Sequence, residues 1–435
     1  MAANDRYKRF MQAYRNLGLF PLLEPQEIED FRVKYGRRTL ARLKQEVQAS
    51  KANGKVIFTG HRGCGKSTLL HELNISMQQQ QHFVVLFSIA DMVEMSDVNH
   101  VNILYAIALM LLSKASKHGV AIPDSTKKHL LNWFTTTTST TYTDQLKQEL
   151  GAGGDLWGFL SAKLKKEDTF RNEIKVTFER RVSELSELSD TIDRIAAAIQ
   201  TATKKEVLVI IDDLDKLDLS VVESIYRDNI NALFSPNIRI VFTIPISVVR
   251  EPKLLATLQS FCQIILLSVT KFFTQDQAHQ VDGEAIAENV EILQEILDKR
   301  IPSDLIAPNV RRQLVLLSGG VLRELIRLGQ ECCRECMLEL ELDSDQPDLV
   351  INDDILAAAV KTLRNQFARS LGSQLYDLLV EIYADFTPPD ARSSEFLELL
   401  HGLFVLEYEN DDLWYDLHPL VTDLLQRKQL LKLPT

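Results

Sequence analysis

One stretch of nine residues constrains this chain more than any other: GHRGCGKST, residues 60–68. It continues the apolar run KVIFTG, which the hydropathy pattern predicts as a buried strand, and it leads into STLLHELNISMQQQ, which has helical spacing. The pattern G-x-x-x-x-G-K-[ST] between a strand and a helix is a loop that holds phosphates. The sequence therefore predicts an α/β domain that binds a nucleotide.

The residues of this loop, the P-loop, have distinct chemical roles. Glycines let backbone N–H groups point at phosphate oxygens, and the start of the following helix adds partial positive charge. We expect Lys66 to reach the β and γ phosphates, Ser67 to bind Mg²⁺ through its hydroxyl, and Thr68 to lie near the α phosphate. The predicted ligands are ATP and Mg²⁺. The predicted binding residues are Gly60, His61, Arg62, Gly63, Cys64, Gly65, Lys66, Ser67 and Thr68.

A second apolar run, VLVIIDDLD, ends in acidic residues. Asp212 is placed to hold Mg²⁺, directly or through water, and Asp213 to orient or deprotonate the attacking water. Asp215 fits better as the cap of a following helix, since Asp is a common cap residue. Together with the P-loop, the two consecutive acids predict nucleoside triphosphate hydrolysis.

Three further polar positions complete the predicted site. Thr243 ends the strand IRIVFT, where its hydroxyl would touch the attacking water or the γ phosphate, unless it is an ordinary strand residue. Arg323 lies one turn into the helix after SGG, where it would either reach back over the nucleotide or face solvent. Arg250, after the Thr243 strand, is a candidate for acting on a neighbouring chain's nucleotide.

The order of predicted elements divides the chain into four regions. Residues 1–50 are predicted as a helix, a turn at FPLLEP and a second helix through FRVKYGRRTLARLKQEVQ. They lead into an α/β core at 51–275, where five buried strands in alternation with helices predict a parallel sheet. A long insertion at about 124–205 interrupts this core, and its charged latter part is either a solvated helix or a surface for a partner. A helical lid follows at 276–370, and the order of helices and strands at 371–435 fits a winged helix.

Composition limits the class of protein. The net charge of −11 over 435 residues argues against a protein whose whole surface binds the phosphates of a nucleic acid. Apolar runs are too short for a membrane span and the start lacks an apolar signal stretch, so we expect a cytoplasmic protein without membrane contact. Its five cysteines do not form a disulfide framework. We predict that the three in CCREC, which are Cys332, Cys333 and Cys336, are small buried residues of a helix.

The chain resembles the AAA+ and STAND superfamily of P-loop ATPases in the order of its motifs. These are the P-loop, the acidic strand, the polar strand end, the SGG-x-x-R helix and the tail. The arrangement is similar to that of Orc/Cdc6-type initiators and of bacterial STAND ATPases of signalling and antiphage defence. The resemblance implies phosphate and Mg²⁺ positions at Lys66, Ser67 and Asp212, and a catalytic acid at Asp213. It also implies that Thr243 is sensor 1 and Arg323 is sensor 2.

Some features depart from that family pattern. Many relatives carry Asp-Glu where this chain has Asp212 and Asp213, and the shorter acid suggests slow turnover. No arginine directly precedes the last core strand, so an arginine finger for a neighbouring subunit is not evident. The sequence therefore leaves a homo-oligomer open without requiring one.

Three functional hypotheses follow. The first is a regulatory ATPase, a nucleotide-dependent switch or assembly platform for a protein partner. The second is a DNA-acting AAA+ ATPase, an initiator or loader that uses its winged helix. This second hypothesis is disfavoured, because the acids on the expected wing would repel the phosphates of DNA. These acids are Glu407, Glu409, Asp411, Asp412 and Asp416. The third is a scaffold that binds ATP without hydrolysing it.

Overall fold

The computed structural model describes residues 2–135, 185–280, 282–343, 346, 348–409 and 412–431. The Gly-rich GAGGD, nearly all of the Thr-rich tract and Asp411 lie outside these residues. The chain divides into two compact units. The sheet unit contains Arg38–Thr59 and Leu69–Leu266; the C-terminal unit contains Met1–Arg37, Gly60–Thr68 and Leu267–Thr435.

Strands and helices alternate through the first part of the chain, and helices dominate the rest. The strands are β1 (Lys55–Gly60), β2 (His82–Ser88), β3 (Glu206–Asp212), β4 (Arg239–Ile244), β5 (Gln263–Leu267), β6 (Val405–Glu409) and β7 (Leu413–Leu417). The helices are α1 (Ala2–Asn16), α2 (Pro25–Phe31), α3 (Arg37–Ala49), α4 (Lys66–Gln79), α5 (His100–Lys117), α6 (Asp124–Thr135), α7 (Leu185–Thr203), α8 (Leu219–Glu223), α9 (Ile230–Leu233), α10 (Pro252–Phe261), α11 (Ala287–Asp298), α12 (Pro308–Leu317), α13 (Leu322–Leu342), α14 (Asp353–Ser370), α15 (Tyr376–Asp385), α16 (Ser394–His401) and α17 (Pro419–Arg427).

The first five of these strands form one sheet in the order β2-β3-β4-β1-β5. Strands β2, β3, β4 and β1 run parallel, and β4 lies between the P-loop strand β1 and the acidic strand β3. Strands β1 and β4 are buried along their whole length, as expected of a parallel sheet covered on both faces. The predicted α/β fold with a parallel sheet is confirmed.

The helix α13 forms the centre of the C-terminal unit, and α1 packs along it. Phe10 of α1 and Leu17, which follows the end of α1, are fully buried, and Leu17 lies against Gly329 of α13. The predicted burial of Cys332, Cys333 and Cys336 in a helix is confirmed, because all three are inaccessible to solvent on α13. Burial raises the pKa of the Cys333 thiol to about 12, so it stays protonated at neutral pH.

The predicted order at the end of the chain, a helix, two strands and a last helix, matches α16, β6, β7 and α17, and α15 precedes them. The assignment as a winged helix stays a prediction. Strands β6 and β7 are antiparallel and surround the predicted turn ENDD. One expectation is wrong in detail, because the sequence pattern predicts a single helix from Phe31 onward. Helix α2 ends there and α3 begins at Arg37, because Gly36 takes a left-handed φ of 68°.

The predicted charges of the hairpin also need correction. Glu407 is only 3% exposed, and Asp416 lies 3.0 Å from Nε2 of His279, so neither is a free surface acid. Glu409 and Asp412 are exposed as predicted. Strand β6 is buried on both faces from Val405 to Tyr408, which the sequence-based count of charges did not consider. None of the helices in the described ranges is long and apolar enough to cross a membrane.

Stability should depend on pH through His418, which caps α17. Its Nδ1 accepts a hydrogen bond from the Leu420 N–H, and burial lowers the pKa of His418 to about 3. Between pH 6.5 and 3 the unfolded chain binds a proton that the folded chain does not, so the free energy of unfolding falls as pH falls. At pH 5.5 this loss is about 1.4 kcal/mol relative to pH 7.5 and above.

The His418→Asn variant isolates this contribution, because an Asn oxygen accepts the same hydrogen bond without titrating. Urea denaturation of both proteins at pH 7.5 and 5.5 measures it. We expect the wild type to lose about 1.4 kcal/mol more than the variant. Equal losses would show that His418 takes up a proton in the folded chain.

Candidate functional site

The P-loop closes on itself around the ammonium of Lys66. Lys66 is 5% exposed, and its Nζ donates to the carbonyl oxygens of Gly60 and His61, both at 2.8 Å. Helix α4 begins at Lys66, so the N–H groups of its first turn and the partial positive charge of its N-terminus lie at the end of the loop. Ser67 and Thr68 follow in the first turn, and Leu22 donates its N–H to the Thr68 hydroxyl at 3.4 Å. This is the geometry of an anion-binding loop.

Arg323, the predicted sensor 2, lies beside the loop. Its backbone N–H donates to the Gly63 carbonyl at 3.0 Å, and its side chain is exposed. Gly63 has a φ of 80°, and a Cβ at this position would lie 2.6 Å from Cβ of Arg323. Only glycine allows the loop and the start of α13 to approach this closely. The role of Arg323 as sensor 2 stays a prediction.

The loop also contacts the C-terminal hairpin. His61 is 1% exposed, and its Nε2 accepts a hydrogen bond from the Glu407 N–H at 3.0 Å. Tyr408, the next residue of β6, donates its hydroxyl to the Gly319 carbonyl at 2.8 Å in the SGG turn before α13. The P-loop, the SGG turn with α13, and β6 thus contact one another in the C-terminal unit.

In the sheet unit, the acidic residues after β3 form a tight turn. Asp213 takes a left-handed backbone conformation with a φ of 69°, and its N–H donates to a carboxylate oxygen of Asp212 at 2.8 Å. Its own carboxylate accepts from the Ser88 hydroxyl at 2.6 Å and forms an ion pair with Lys216 at 2.6 Å. Non-glycine residues in this backbone region are concentrated at functional sites. The turn therefore holds Asp213 in one orientation.

The same turn brings three carboxylates together. Oxygens of Asp212, Asp213 and Asp215 lie within 4.8 Å of one another, and Asp215 is 7% exposed. Carboxylate oxygens are ligands of Mg²⁺, which is usually bound through one or two carboxylates plus substrate phosphates. The donor set therefore fits the predicted Mg²⁺. The prediction that Asp215 caps a following helix is wrong: it lies inside the 3₁₀ turn Leu214–Lys216, whose cap residue is Asp213, and its carboxylate belongs to this cluster.

Thr243 organises the acidic turn through its hydroxyl. It is inaccessible to solvent, donates to the Ile211 carbonyl at 3.2 Å and accepts from the Leu214 N–H at 3.0 Å. The two partners flank Asp212 and Asp213. Thr243 is thus a positioning residue for the acidic turn, and its predicted contact with the γ phosphate stays a prediction.

The Thr243→Val variant tests this positioning role. Valine has the same shape but leaves the Leu214 N–H without its acceptor, so we expect a loss of about 1–3 kcal/mol in unfolding free energy and slower ATP turnover. Thr243→Ser keeps the hydroxyl and should keep turnover, with a stability loss of about 1 kcal/mol for one buried methyl. Denaturation and phosphate-release assays measure both effects. Wild-type turnover in Thr243→Val would contradict the role.

Sequence reasoning missed three members of these clusters: Ser88, Lys216 and Glu407. Ser88 ends β2 and is 125 residues from Asp213, so only the pairing of β2 with β3 brings them together. Lys216 had a local signal, since it follows Asp213 by three residues in a tight turn. Glu407 had none, because its contact with His61 spans 346 residues.

Comparisons with known proteins find a matching family model and similar solved structures. Residues 40–244 match the family model described as the KAP family P-loop domain. The chain is similar to the Orc1 protein of Aeropyrum pernix, solved in complex with DNA, at 12% identity and a TM-score of 0.41, over 94% of this chain and 96% of that one. The values for Cdc6p of Pyrobaculum aerophilum are 12% and 0.40, over 94% and 98%.

A RuvB variant of Thermotoga maritima is similar at 15% identity with a TM-score of 0.38, over 94% of this chain and 98% of that one. No curated protein matches the chain. The parallel sheet, the glycine-rich loop between β1 and α4, and the family match identify residues 40–244 as a P-loop NTPase domain.

Proposed function

We propose that this protein is a regulatory ATPase that binds and slowly hydrolyses ATP with Mg²⁺, and that its nucleotide state is read by the C-terminal unit. The observation that carries the proposal is the pair of P-loop contacts: Gly63 with Arg323 of α13, and His61 with Glu407 of β6. Any change of the loop on phosphate binding acts directly on both elements. A ligand shifts such an equilibrium by its differential contacts with the two states.

The residues divide the chemistry among them. Lys66 and the loop N–H groups would bind the phosphates, and Ser67 with Asp212 would hold Mg²⁺, which neutralises charge on the phosphates when bound. The carboxylate of Asp213 would orient or deprotonate the attacking water, and Ser88 and Lys216 keep that carboxylate in place. Arg323 would stabilise charge on the phosphates from α13. The C-terminal unit would in turn act on a protein partner, an effector of the signalling or defence type.

Trypsin digestion followed by mass spectrometry tests the switch. Arg323 and Lys271 are potential cleavage sites within the C-terminal unit, close to α13 and the hairpin. We expect their cleavage rates to differ between Mg²⁺-ADP and a non-hydrolysable ATP analogue, and the difference to vanish in Lys66→Met. Identical digestion of the wild type with both nucleotides would reject the switch.

Light scattering with the same two nucleotides tests whether a second copy of this chain reads the nucleotide state. An unchanged mass would mean that the state is read within the chain or by a different protein. Growth to a larger closed assembly with the ATP analogue alone would instead make a second copy of this chain the reader. Arg250 is then the first arginine to replace.

DNA binding is the second candidate function. The observation that favours it is the burial of Glu407 and the pairing of Asp416 with His279, because both reduce the acidity of the hairpin surface. Fluorescence anisotropy with a duplex at several salt concentrations tests it. Phosphate contacts require that the logarithm of the binding constant fall linearly with the logarithm of the salt concentration. Binding at physiological salt with this dependence would favour DNA over a protein partner.

A further inference from the structure

His61 belongs to the P-loop by sequence, yet its ring is committed to a different element. Its Nε2 accepts the Glu407 N–H at 3.0 Å, and since a backbone N–H can only donate, this nitrogen carries no proton. The ring is 1% exposed, so water does not compete for this hydrogen bond. A side chain of the phosphate-binding loop thus holds one backbone group of strand β6.

The hairpin itself leaves that backbone group available. Glu407 is paired with Tyr415 across the hairpin, but the Tyr415 N–H donates outward to the Phe386 carbonyl at 2.8 Å. This identifies Glu407 and Tyr415 as a non-hydrogen-bonded pair, in which both N–H groups point away from the partner strand. Protection of the Glu407 amide therefore depends on His61 and not on β7.

The backbone of His61 is held from the other side by Lys66. The His61 carbonyl accepts from Lys66 Nζ at 2.8 Å, and the same ammonium binds the Gly60 carbonyl at 2.8 Å. Phosphate oxygens are charged acceptors and form stronger hydrogen bonds with an ammonium than neutral carbonyls do. A nucleotide that engages Lys66 therefore releases the carbonyl of the residue whose ring holds β6.

We infer that His61 is a positioning residue through which phosphate binding at Lys66 reaches strand β6. The inference deepens the proposed function and rests on it, because it names the contact by which the nucleotide state would leave the P-loop. Its path continues from β6 to the SGG turn, where the Tyr408 hydroxyl binds the Gly319 carbonyl and a Cβ on Gly319 would lie 2.6 Å from Leu406. The turn leads directly into α13.

The test is amide hydrogen exchange at Glu407, compared among the wild type, His61→Leu and His61→Gln. Leucine removes the acceptor, whereas a glutamine oxygen can replace Nε2. Each protein is measured alone and saturated with Mg²⁺-bound ATP analogue, after its Kd has been determined by calorimetry. The Leu406 amide is the internal control, since Leu406 occupies the adjacent, hydrogen-bonded position of the hairpin.

We expect the Glu407 amide to exchange at least about tenfold faster in His61→Leu than in the wild type, which corresponds to the roughly 1.4 kcal/mol of one hydrogen bond. His61→Gln should restore slow exchange, while Leu406 stays constant in all three. The ATP analogue should accelerate Glu407 exchange in the wild type and in His61→Gln, but not further in His61→Leu.

Two results would overturn the inference: slow Glu407 exchange in His61→Leu, or an equal nucleotide response in all three proteins. Faster exchange of both Glu407 and Leu406 in His61→Leu would indicate that this variant has lost the hairpin. The inference then stands if the ATP analogue accelerates Glu407 exchange in both the wild type and His61→Gln, and it fails if the analogue does not. A wild type that binds and hydrolyses ATP without a change at Glu407 contradicts the inference alone. A wild type that does not bind nucleotide contradicts the proposed function as well.

Discussion

Replacing Lys66 with methionine should abolish most of the thermal stabilisation that ATP gives this protein. At a concentration 100 times its Kd, ATP stabilises the wild type by about 2.7 kcal/mol. Losing a charged hydrogen bond worth about 3 kcal/mol weakens binding roughly 150-fold. The same ATP concentration then adds only about 0.3 kcal/mol to the variant. Thermal unfolding with and without Mg²⁺-ATP measures the difference within each protein.

Comparison within each protein matters here, because Lys66 also binds two carbonyls of its own loop and the variant will differ in stability without ATP. Lys51→Met is the matched control: this lysine is exposed, precedes β1 and should leave the ATP effect at its wild-type size. A full ATP effect in Lys66→Met would mean that the nucleotide binds away from the P-loop.

Replacing Asp213 with asparagine should separate hydrolysis from binding. The variant keeps the side-chain shape but loses the negative charge that would orient or deprotonate the attacking water. Positioned acids and bases typically contribute about 10²–10⁴-fold to rate, so turnover should fall by that factor. ATP affinity should change little, because the P-loop residues and Asp212, not Asp213, are predicted to hold the phosphates and Mg²⁺. Phosphate release and calorimetry measure the two properties.

Asp218→Asn is the control for this variant. Asp218 lies five residues further along, is exposed and makes no side-chain cap contact with α8. We expect wild-type binding and turnover from it. If Asp213→Asn hydrolysed ATP at the wild-type rate, another carboxylate of the cluster, Asp212 or Asp215, would have to carry the role assigned to Asp213.

The parts of the fold that depend on local sequence could be predicted. A P-loop needs particular residues at fixed spacing between a strand and a helix, so nine residues were enough to place it between β1 and α4. The apolar runs of the five sheet strands, and the burial of Cys332, Cys333 and Cys336, also follow from short-range patterns of hydrophobicity.

The remaining features depend on contacts between distant residues. The hydrogen bond between Ser88 and Asp213 requires that β2 lie beside β3, and the order of strands in a sheet is not encoded in any one segment. Thr243 illustrates another limit: its type at a strand end suggested a contact with the nucleotide, which stays a prediction, but did not reveal that its hydroxyl binds the backbone on both sides of the acidic pair. Residue type indicated importance but not the partner.

We propose that this protein hydrolyses ATP slowly, as a switch does. A single-turnover experiment, in which the protein is in excess over radiolabelled Mg²⁺-ATP and released phosphate is followed, tests it most directly. We predict complete conversion at a rate on the order of 10⁻² s⁻¹ or slower, as in P-loop switch proteins that supply their own arginine. Phosphate release no faster than that of Asp213→Asn would contradict the claim and identify the protein as a scaffold that binds ATP without hydrolysing it.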